Sequence, residues 1–280
     1  MSEEIVRKRI ALIDGDVVAY ASFPNRWGSS YNQLGGAVPT FTQEEDEAYF
    51  AAGVANYLRI ISQISETVFA NEVRIAMKGE TNFRDRVFPE YKSRRKAIIR
   101  PVNAYVSMLR KFAVEDHKAT AAEDMEADDL LRIWHGEIEA EGNLPIICSI
   151  DKDLLTIPGT HYRFPKEKNG NSAWNSKWND NSLIMVQTPW EANLFYYKQI
   201  LMGDSTDSIP GLPGIGPKRA EAIIANCKSV EQLQYIVSHA YKSLMGEKWK
   251  EALILTGKLI TMLPHKDYVF NLDNWNLVKD

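Results

Sequence analysis

Residues 144–153 read Leu-Pro-Ile-Ile-Cys-Ser-Ile-Asp-Lys-Asp, an apolar run that stops abruptly at two aspartates. Residues 10–16, Ile-Ala-Leu-Ile-Asp-Gly-Asp, repeat the pattern. Short apolar runs without polar alternation are what a parallel strand buried on both faces needs. A further candidate strand, Val73–Met77, lies between them. Helical spacing fills the gaps. It carries Tyr49, Phe50, Val54, Tyr57, Leu58 and Ile61 within Gln43–Glu66, then a stretch near Ala104–Val114. It resumes with Ala127, Leu130, Leu131, Trp134 and Ile138 within Glu126–Ala140. The order strand, helix, strand, helix, strand predicts an α/β fold with a mostly parallel central sheet flanked by helices. In such sheets ligands bind beyond the carboxyl ends of the strands. Two of the three candidate strands deliver aspartates there.

The remainder reads differently. Residues 22–43 are rich in Ser, Gly, Asn and Pro and predict a loop. Residues 160–187 predict irregular β structure with a turn at Asn169-Gly170-Asn171. From Pro189 onward the pattern is helix and turn: Pro189–Met202, a Gly/Pro-rich loop over 203–217, then Lys218–Asn226, Ser229–Ala240 and Glu247–Met262. The expected division is an α/β core over 1–188 and an all-helical region over 189–280. The chain has 280 residues, 45% hydrophobic and 25% charged, an ordinary balance for a water-soluble globular protein. No run reaches the roughly 18 apolar residues of a membrane span, and the first residues lack the apolar core of a signal peptide. Two cysteines, Cys148 and Cys227, form no disulfide framework or metal knuckle and read as reduced thiols in a cytoplasmic protein.

The net charge of −4 does not announce a nucleic-acid binder, but its distribution is uneven. Residues 84–100 carry seven Lys/Arg against two acids, whereas 123–153 is rich in carboxylates. A basic strip beside an acidic pocket suits metal-dependent phosphodiester chemistry: cations for the backbone, anions for the metal. Asp14-Gly15-Asp16 alone could be turn or cap residues. Glu126-Ala127-Asp128-Asp129 places three carboxylates at a helix start. The helix dipole accounts for one or two of them; three crowded like charges call for a cation between them. Glu126 and Asp129 share a face while Asp128 points elsewhere, so the three are not equivalent ligands. Asp151 and Asp153, two apart on an extended segment, face the same side. Residues 211–220, GLPGIGPKRA, have the look of a helix–hairpin–helix. Gly214 and Gly216 let backbone N–H groups approach a phosphate, a helix N-terminus follows, and Lys218 and Arg219 add charge. In 82–96 cations alternate with Phe and Tyr, a pattern that can hold phosphates and stack on bases.

Taken in this order, these segments resemble the 5′-nuclease superfamily of flap endonucleases, the 5′-nuclease domain of bacterial DNA polymerase I and bacteriophage 5′→3′ exonucleases. The resemblance runs from about Ile10 to Ala225, and the phage enzymes look nearest. It implies a PIN-like 5′-nuclease fold and a 5′→3′ exonuclease with flap endonuclease activity, a phosphodiester hydrolase of phage replication and primer removal. Asp14, Glu126 and Asp128 would hold one Mg²⁺, and Asp128 would bridge to a second held by Asp151, Asp153 and Asp204; Mn²⁺ would substitute. Asp129 and Asp207 would be outer ligands, and Asp16 a neighbour. Lys92 and Arg95 would contact the scissile phosphate, Tyr91 would stack near the substrate terminus, and Arg84 and Arg94 would join the DNA-binding cations. Carbonyls around Leu212–Ile215 would bind K⁺. The implied partner is DNA with a 5′ end or flap, or an RNA–DNA primer, met by a monomer away from membranes in the host cytoplasm.

One departure stands out. The family has an aspartate just after the second strand, where this chain has Met77 to Gly79. Three readings stay open: Glu80 stands in, the first metal has fewer carboxylates and more water, or catalysis is weakened. The last motivates a second reading, a DNA-structure binder without catalysis. A third reading is a metal-dependent endoribonuclease of the same broad fold.

Overall fold

Alternation along the first strand, β1 (Arg9–Asp14), decides the layering. Ala11 and Ile13 point into one buried cluster and Ile10 and Leu12 into another. In the computed structural model, residues 7–24, 41–96, 100–163 and 183–275 are described. Six strands form one sheet: β1, β2 (Glu72–Met77), β3 (Thr120–Ala121), β4 (Leu144–Cys148), β5 (Gly159–Tyr162) and β6 (Ile184–Gln187), in spatial order β3-β2-β1-β4-β5-β6. Every pairing is parallel except β5 with β6. The α/β expectation of a mostly parallel sheet holds. Helices α1 (Gly15–Ala21), α2 (Gln43–Thr67) and α5 (Val102–Asp116) cover one face through Val18, Tyr57, Ile60, Ile64, Val106 and Leu109. Helix α6 (Ala127–Ala140) covers the other with Leu130, Leu131, Ile133 and Ile138. Two short helices, α3 (Phe83–Val87) and α4 (Ser93–Lys96), carry the basic strip.

The chain runs outward from β1 through β2 to β3, then returns to place β4 on the other side of β1. That reversal opens a crevice at the carboxyl ends of β1 and β4. Asp14 ends the first, and Asp151 and Asp153 follow the second.

The last third is helical: α7 (Pro189–Met202), α8 (Pro217–Ile224), α9 (Val230–Met245) and α10 (Trp249–Ile260). They share a core of Tyr196, Tyr197, Leu233, Val237, Tyr241 and Leu253. Gly203 and Gly211 let the end of α7 cross the hairpin loop. A Cβ on Gly211 would sit 2.0 Å from the Met202 carbonyl, and one on Gly203 would sit 2.4 Å from the Gly211 nitrogen. Helix α7 starts with a reciprocal cap between Thr188 and Glu191. Thr188→Ala should therefore lower stability by about 1 kcal/mol, read as a lower urea midpoint at unchanged slope.

Several expectations shift at their edges. The apolar run from Leu144 ends as a strand, β4, at Cys148; beyond it the Ile150 and Asp151 carbonyls accept from the Arg163 guanidinium at 2.8 and 3.1 Å. Strand β3 is too short to leave a period in the sequence. The turn expected at 169–171 and most of the loop at 22–43 lie outside the described residues. Among the described residues no helix is long and apolar enough to cross a membrane.

Candidate active site

Glu126 is the N-cap of α6, so its side chain and that of Asp128 emerge at the helix mouth facing the crevice. Asp151 and Asp153 come from the turn after β4, and Asp204 and Asp207 from the loop after α7. All six line one narrow cleft of about 50 Å³, walled by Lys92, Arg95 and Gln199. Asp14 lies behind it, 4% exposed, donated to by Ser149 Oγ at 2.7 Å and by the Val17 amide at 3.1 Å. A roomier cavity of about 540 Å³ lies elsewhere, between residues 120–125 and 258–270, and holds none of these six acids.

The electrostatics are those of carboxylates held together against repulsion. Burial pushes the Asp14 carboxyl up to about 7, helped by Asp16 and Asp151 and opposed by the Ser149 bond. Burial also raises Asp128 well above the carboxylate range, and Asp14, Glu126 and Asp151 push the same way. Asp153 and Asp207 are raised by burial too. Glu126 goes the other way. Burial alone would raise it, but the charges of Lys92 and Arg84 hold it below its ordinary value.

Cations stand among these acids. The Lys92 ammonium bonds Glu126 and lies 3.6 Å from Asp207; Arg95 meets Asp207 at 2.8 Å. Lys152 reaches Asp153 at 3.1 Å and Asp204 at 3.7 Å. Lys92 has a left-handed backbone, φ +54°, fixed by its amide bonding the Asp207 carbonyl at 2.8 Å. A lysine pays steric strain there, and the conformation turns its ammonium into the cleft. Among the described residues no three His, Cys, Asp or Glu side chains stand close enough to hold an ion as they are. The donor set nevertheless fits a hard divalent cation: oxygen ligands, no imidazole or thiolate in the cleft, and ammonium groups lodged between the acids.

Three expected roles need correction. Arg84, expected to contact DNA, is 2% exposed and forks onto Asp129 at 2.6 and 2.9 Å. Asp129, expected as an outer metal ligand, is fully buried. Its Oδ1 accepts from Arg84 and the Leu263 amide, and its Oδ2 from Arg84 and the Glu126 amide. Both lone-pair sites of each oxygen are used, leaving none for a metal. Tyr91, expected to stack on substrate, is 2% exposed within the helical core. Its hydroxyl bonds Glu126 instead.

The gap after the second strand also resolves. Met77 is wholly buried in the sheet's core. A Cβ at Gly79 would stand 1.7 Å from the Ala122 carbonyl oxygen, so no side chain fits there without a backbone shift. Glu80 is exposed and does not line the cleft. Asn82 instead donates to Glu126 at 3.0 Å. Asp16 is tied to Arg110 at 2.6 Å and to the Lys78 amide at 3.0 Å.

Sequence reasoning missed Ser149 and Gln199. Ser149 links Asp14 to the Asp151 amide, and Gln199 donates to Asp153 at 2.6 Å. Ser149, two residues before an aspartate at a strand end, is a visible turn signal. Gln199 leaves no local signal, being 46 residues from its partner. At the hairpin, Gly214, Gly216, Lys218 and Arg219 are exposed, and Arg219 donates to the Gly214 carbonyl at 2.9 Å. The amide end of α8 carries no side-chain cap.

Comparison with known proteins agrees with this architecture. Residues 9–178 match the profile described as 5′-3′ exonuclease, N-terminal resolvase-like domain, and 192–279 match 5′-3′ exonuclease, C-terminal SAM fold. DNA polymerase I of Bacillus caldotenax is 27% identical over 259 residues, 89% of this chain and 26% of the polymerase. The chain thus spans about a quarter of the length of that relative. A 5′-3′ exonuclease of Buchnera aphidicola subsp. Schizaphis graminum is 26% identical, covering 81% of this chain and 73% of that protein. The D15 protein of bacteriophage T5, solved with metal ions, shares the fold at a TM-score of 0.53. It is 15% identical, with 96% of this chain and 97% of that one covered. The resolvase-like profile alone takes in more than half of the residues, including Asp14, Glu126, Asp128, Asp151 and Asp153. On that match the chain belongs to the 5′-3′ exonuclease family.

Proposed function

We propose that the chain is a divalent-metal-dependent 5′→3′ exodeoxyribonuclease with flap endonuclease activity. The observation that carries this reading is the single cleft in which Glu126, Asp128, Asp151, Asp153, Asp204 and Asp207 meet, with Lys92 and Arg95 on its wall. Mg²⁺ is the proposed cofactor, with Mn²⁺ able to replace it. Asp14, Glu126 and Asp128 would hold one ion, Asp128, Asp151, Asp153 and Asp204 a second, and Asp207 stands outside them. Bound there, such ions supply an activated water and neutralise the leaving 3′-oxygen. Lys92 and Arg95 offset charge on the scissile phosphate, and the product keeps a 5′-phosphate. Arg94 adds a cation on the exposed side of α4, anchored to the Ser205 carbonyl at 3.2 Å.

Residues 189–280 act in this reading as the DNA-gripping region. Gly214, Gly216, Lys218 and Arg219 present backbone amides and charge to a phosphate, and carbonyls around Leu212–Ile215 take K⁺. The proposed substrate is DNA with a 5′ end or flap, or an RNA–DNA primer, handled by a monomer in the bacterial cytoplasm. Primer removal in phage replication is part of the proposal; likeness in fold to a phage protein supports it.

The test is a 5′-labelled flap duplex incubated with and without Mg²⁺ or Mn²⁺. The expected result is cleavage only with metal, and less of it on a matched RNA. A duplex that is bound but never cut would favour a non-catalytic DNA-structure binder.

Metal uptake should also be linked to protons. The folded chain keeps a proton on Asp14 between the ordinary carboxylate range and about 7, where the unfolded chain has lost it. Without divalent metal, that group's contribution to stability falls as pH rises through this window. A metal must displace the proton at low pH and meets a free carboxylate at high pH. The rise in Tm produced by Mg²⁺ should therefore be larger near about pH 8 than near about pH 5.5. An equal rise at both, read by thermal scans, would contradict it.

A further inference from the structure

Arg84 and Asp129 make the most deeply buried ion pair among the described residues, with side chains 3% and 0% exposed. The pair joins three separate parts of the chain. Arg84 follows β2. Its Nε donates to the Leu259 carbonyl at 2.9 Å and its Nη2 to the Thr261 carbonyl at 2.8 Å. These are carbonyls at the C-terminal end of α10, which a helix leaves open. Asp129 sits in the first turn of α6 and accepts the Leu263 amide at 2.9 Å, from the strand of chain leaving α10. Its other oxygen accepts the Glu126 amide at 2.9 Å, which pins the N-cap. One turn back along α10, Thr256 donates to the Pro210 carbonyl at 2.9 Å, inside the Gly/Pro-rich loop. The end of α10 is thus bolted both to the mouth of α6 and to the loop that carries Asp204 and Asp207.

Such a pair is a poor source of net stability. Taking both charges out of water costs several kcal/mol per ion, and well-packed apolar residues often serve as well. What apolar residues cannot do is fix the Glu126 backbone and the α10 carbonyls by direction. We propose that Arg84 and Asp129 are positioning residues. Through the Glu126 amide and the end of α10 they hold the Glu126 and Asp128 carboxylates in register for a divalent cation. This rests on the metal-dependent reading of the cleft.

The test uses the full chain with Arg84→Met, Asp129→Leu and the two combined. Readouts are the urea midpoint, Mn²⁺ binding by calorimetry, and steady-state cleavage of the labelled flap duplex. Each single variant strands a buried charge and should unfold more easily. The double variant strands no charge and should recover part of the midpoint, since the Leu259 and Thr261 carbonyls and the Glu126 and Leu263 amides lose their partners. Its Mn²⁺ affinity should stay down by about tenfold or more, with kcat lowered and KM for DNA kept. A double variant that recovers midpoint, Mn²⁺ affinity and kcat together overturns the positioning role, because a merely structural pair would behave that way. Should the double variant fail to fold, Arg84→Lys decides. It keeps a charge beside Asp129 but loses the fork onto that carboxylate and the bonds to the Leu259 and Thr261 carbonyls. A folded Arg84→Lys protein with undiminished Mn²⁺ affinity overturns the proposal, and a loss of about tenfold supports it. Unaltered protein that takes up no Mn²⁺ and cuts nothing fails the metal-dependent reading itself, and the positioning role with it.

Discussion

Asp128→Ala should lower Mg²⁺-dependent cleavage by about three orders of magnitude or more while leaving DNA binding intact. Asp14, Glu126 and Asp151 all repel Asp128 and raise its pKa, on top of burial. On the proposed reading Asp128 would be a ligand to the metal. Its loss removes metal charge stabilisation worth several kcal/mol, and each 1.36 kcal/mol is about tenfold in rate. The same crowding sets the expectation for stability. Removing a desolvated, repelled carboxylate relieves strain in the metal-free protein, so the urea midpoint should hold or rise. Loss of cleavage with a maintained midpoint separates chemistry from misfolding. Single-turnover rates and duplex binding in EDTA check both halves. Undiminished cleavage would remove Asp128 from the metal site.

Lys92→Ala should lower kcat by about two to three orders of magnitude, with little change in KM for DNA. The reason is geometric. Lys92 is held in a left-handed backbone by the Asp207 carbonyl, and its ammonium already lies in the cleft between Glu126 and Asp207. Were Glu126 engaged by a divalent cation, as proposed, the ammonium would be released from it to meet the phosphate. Lys92→Arg should restore little, because a planar fork does not replace a compact point charge on that short approach. Arg95, 48% exposed in its side chain, should cost less when removed. Steady-state kinetics on the flap duplex decide; an unchanged kcat in Lys92→Ala would contradict the assignment.

Much of this arrangement is written locally. The apolar runs at 10–13 and 144–148 mark strands covered on both faces, while 73–77 carries Arg74 and buries only its last three residues. The acids that follow them are legible as a site because the carboxyl ends of such strands converge. The spacing of Glu126, Asp128 and Asp129 shows that the three cannot act alike, but it misplaces the odd one: Glu126 and Asp128 share the cleft, and Asp129 turns inward onto Arg84. What stays hidden is the partner of each charge. Arg84 and Asp129 are 45 residues apart, and Leu259 and Thr261 lie further still. Nothing in a basic strip says which of its cations turns inward. Tyr91 misleads for the same reason: an aromatic flanked by cations suits base stacking, yet the helical core claims the ring. The absent acid near Met77 is visible in the sequence, but its consequence is not. Only the fold shows that position 77 points into the core and that position 79 abuts the Ala122 carbonyl.

The central claim is that the carboxylate cleft is a divalent-metal site, and a crystal soaked in Mn²⁺ tests it most directly. Anomalous density should appear among Asp128, Asp151, Asp153 and Asp204, with Lys92 drawn away from Glu126 and Asp129 still locked to Arg84. Density only outside the cleft, or none at all with Lys92 still bonded to Glu126, would contradict it.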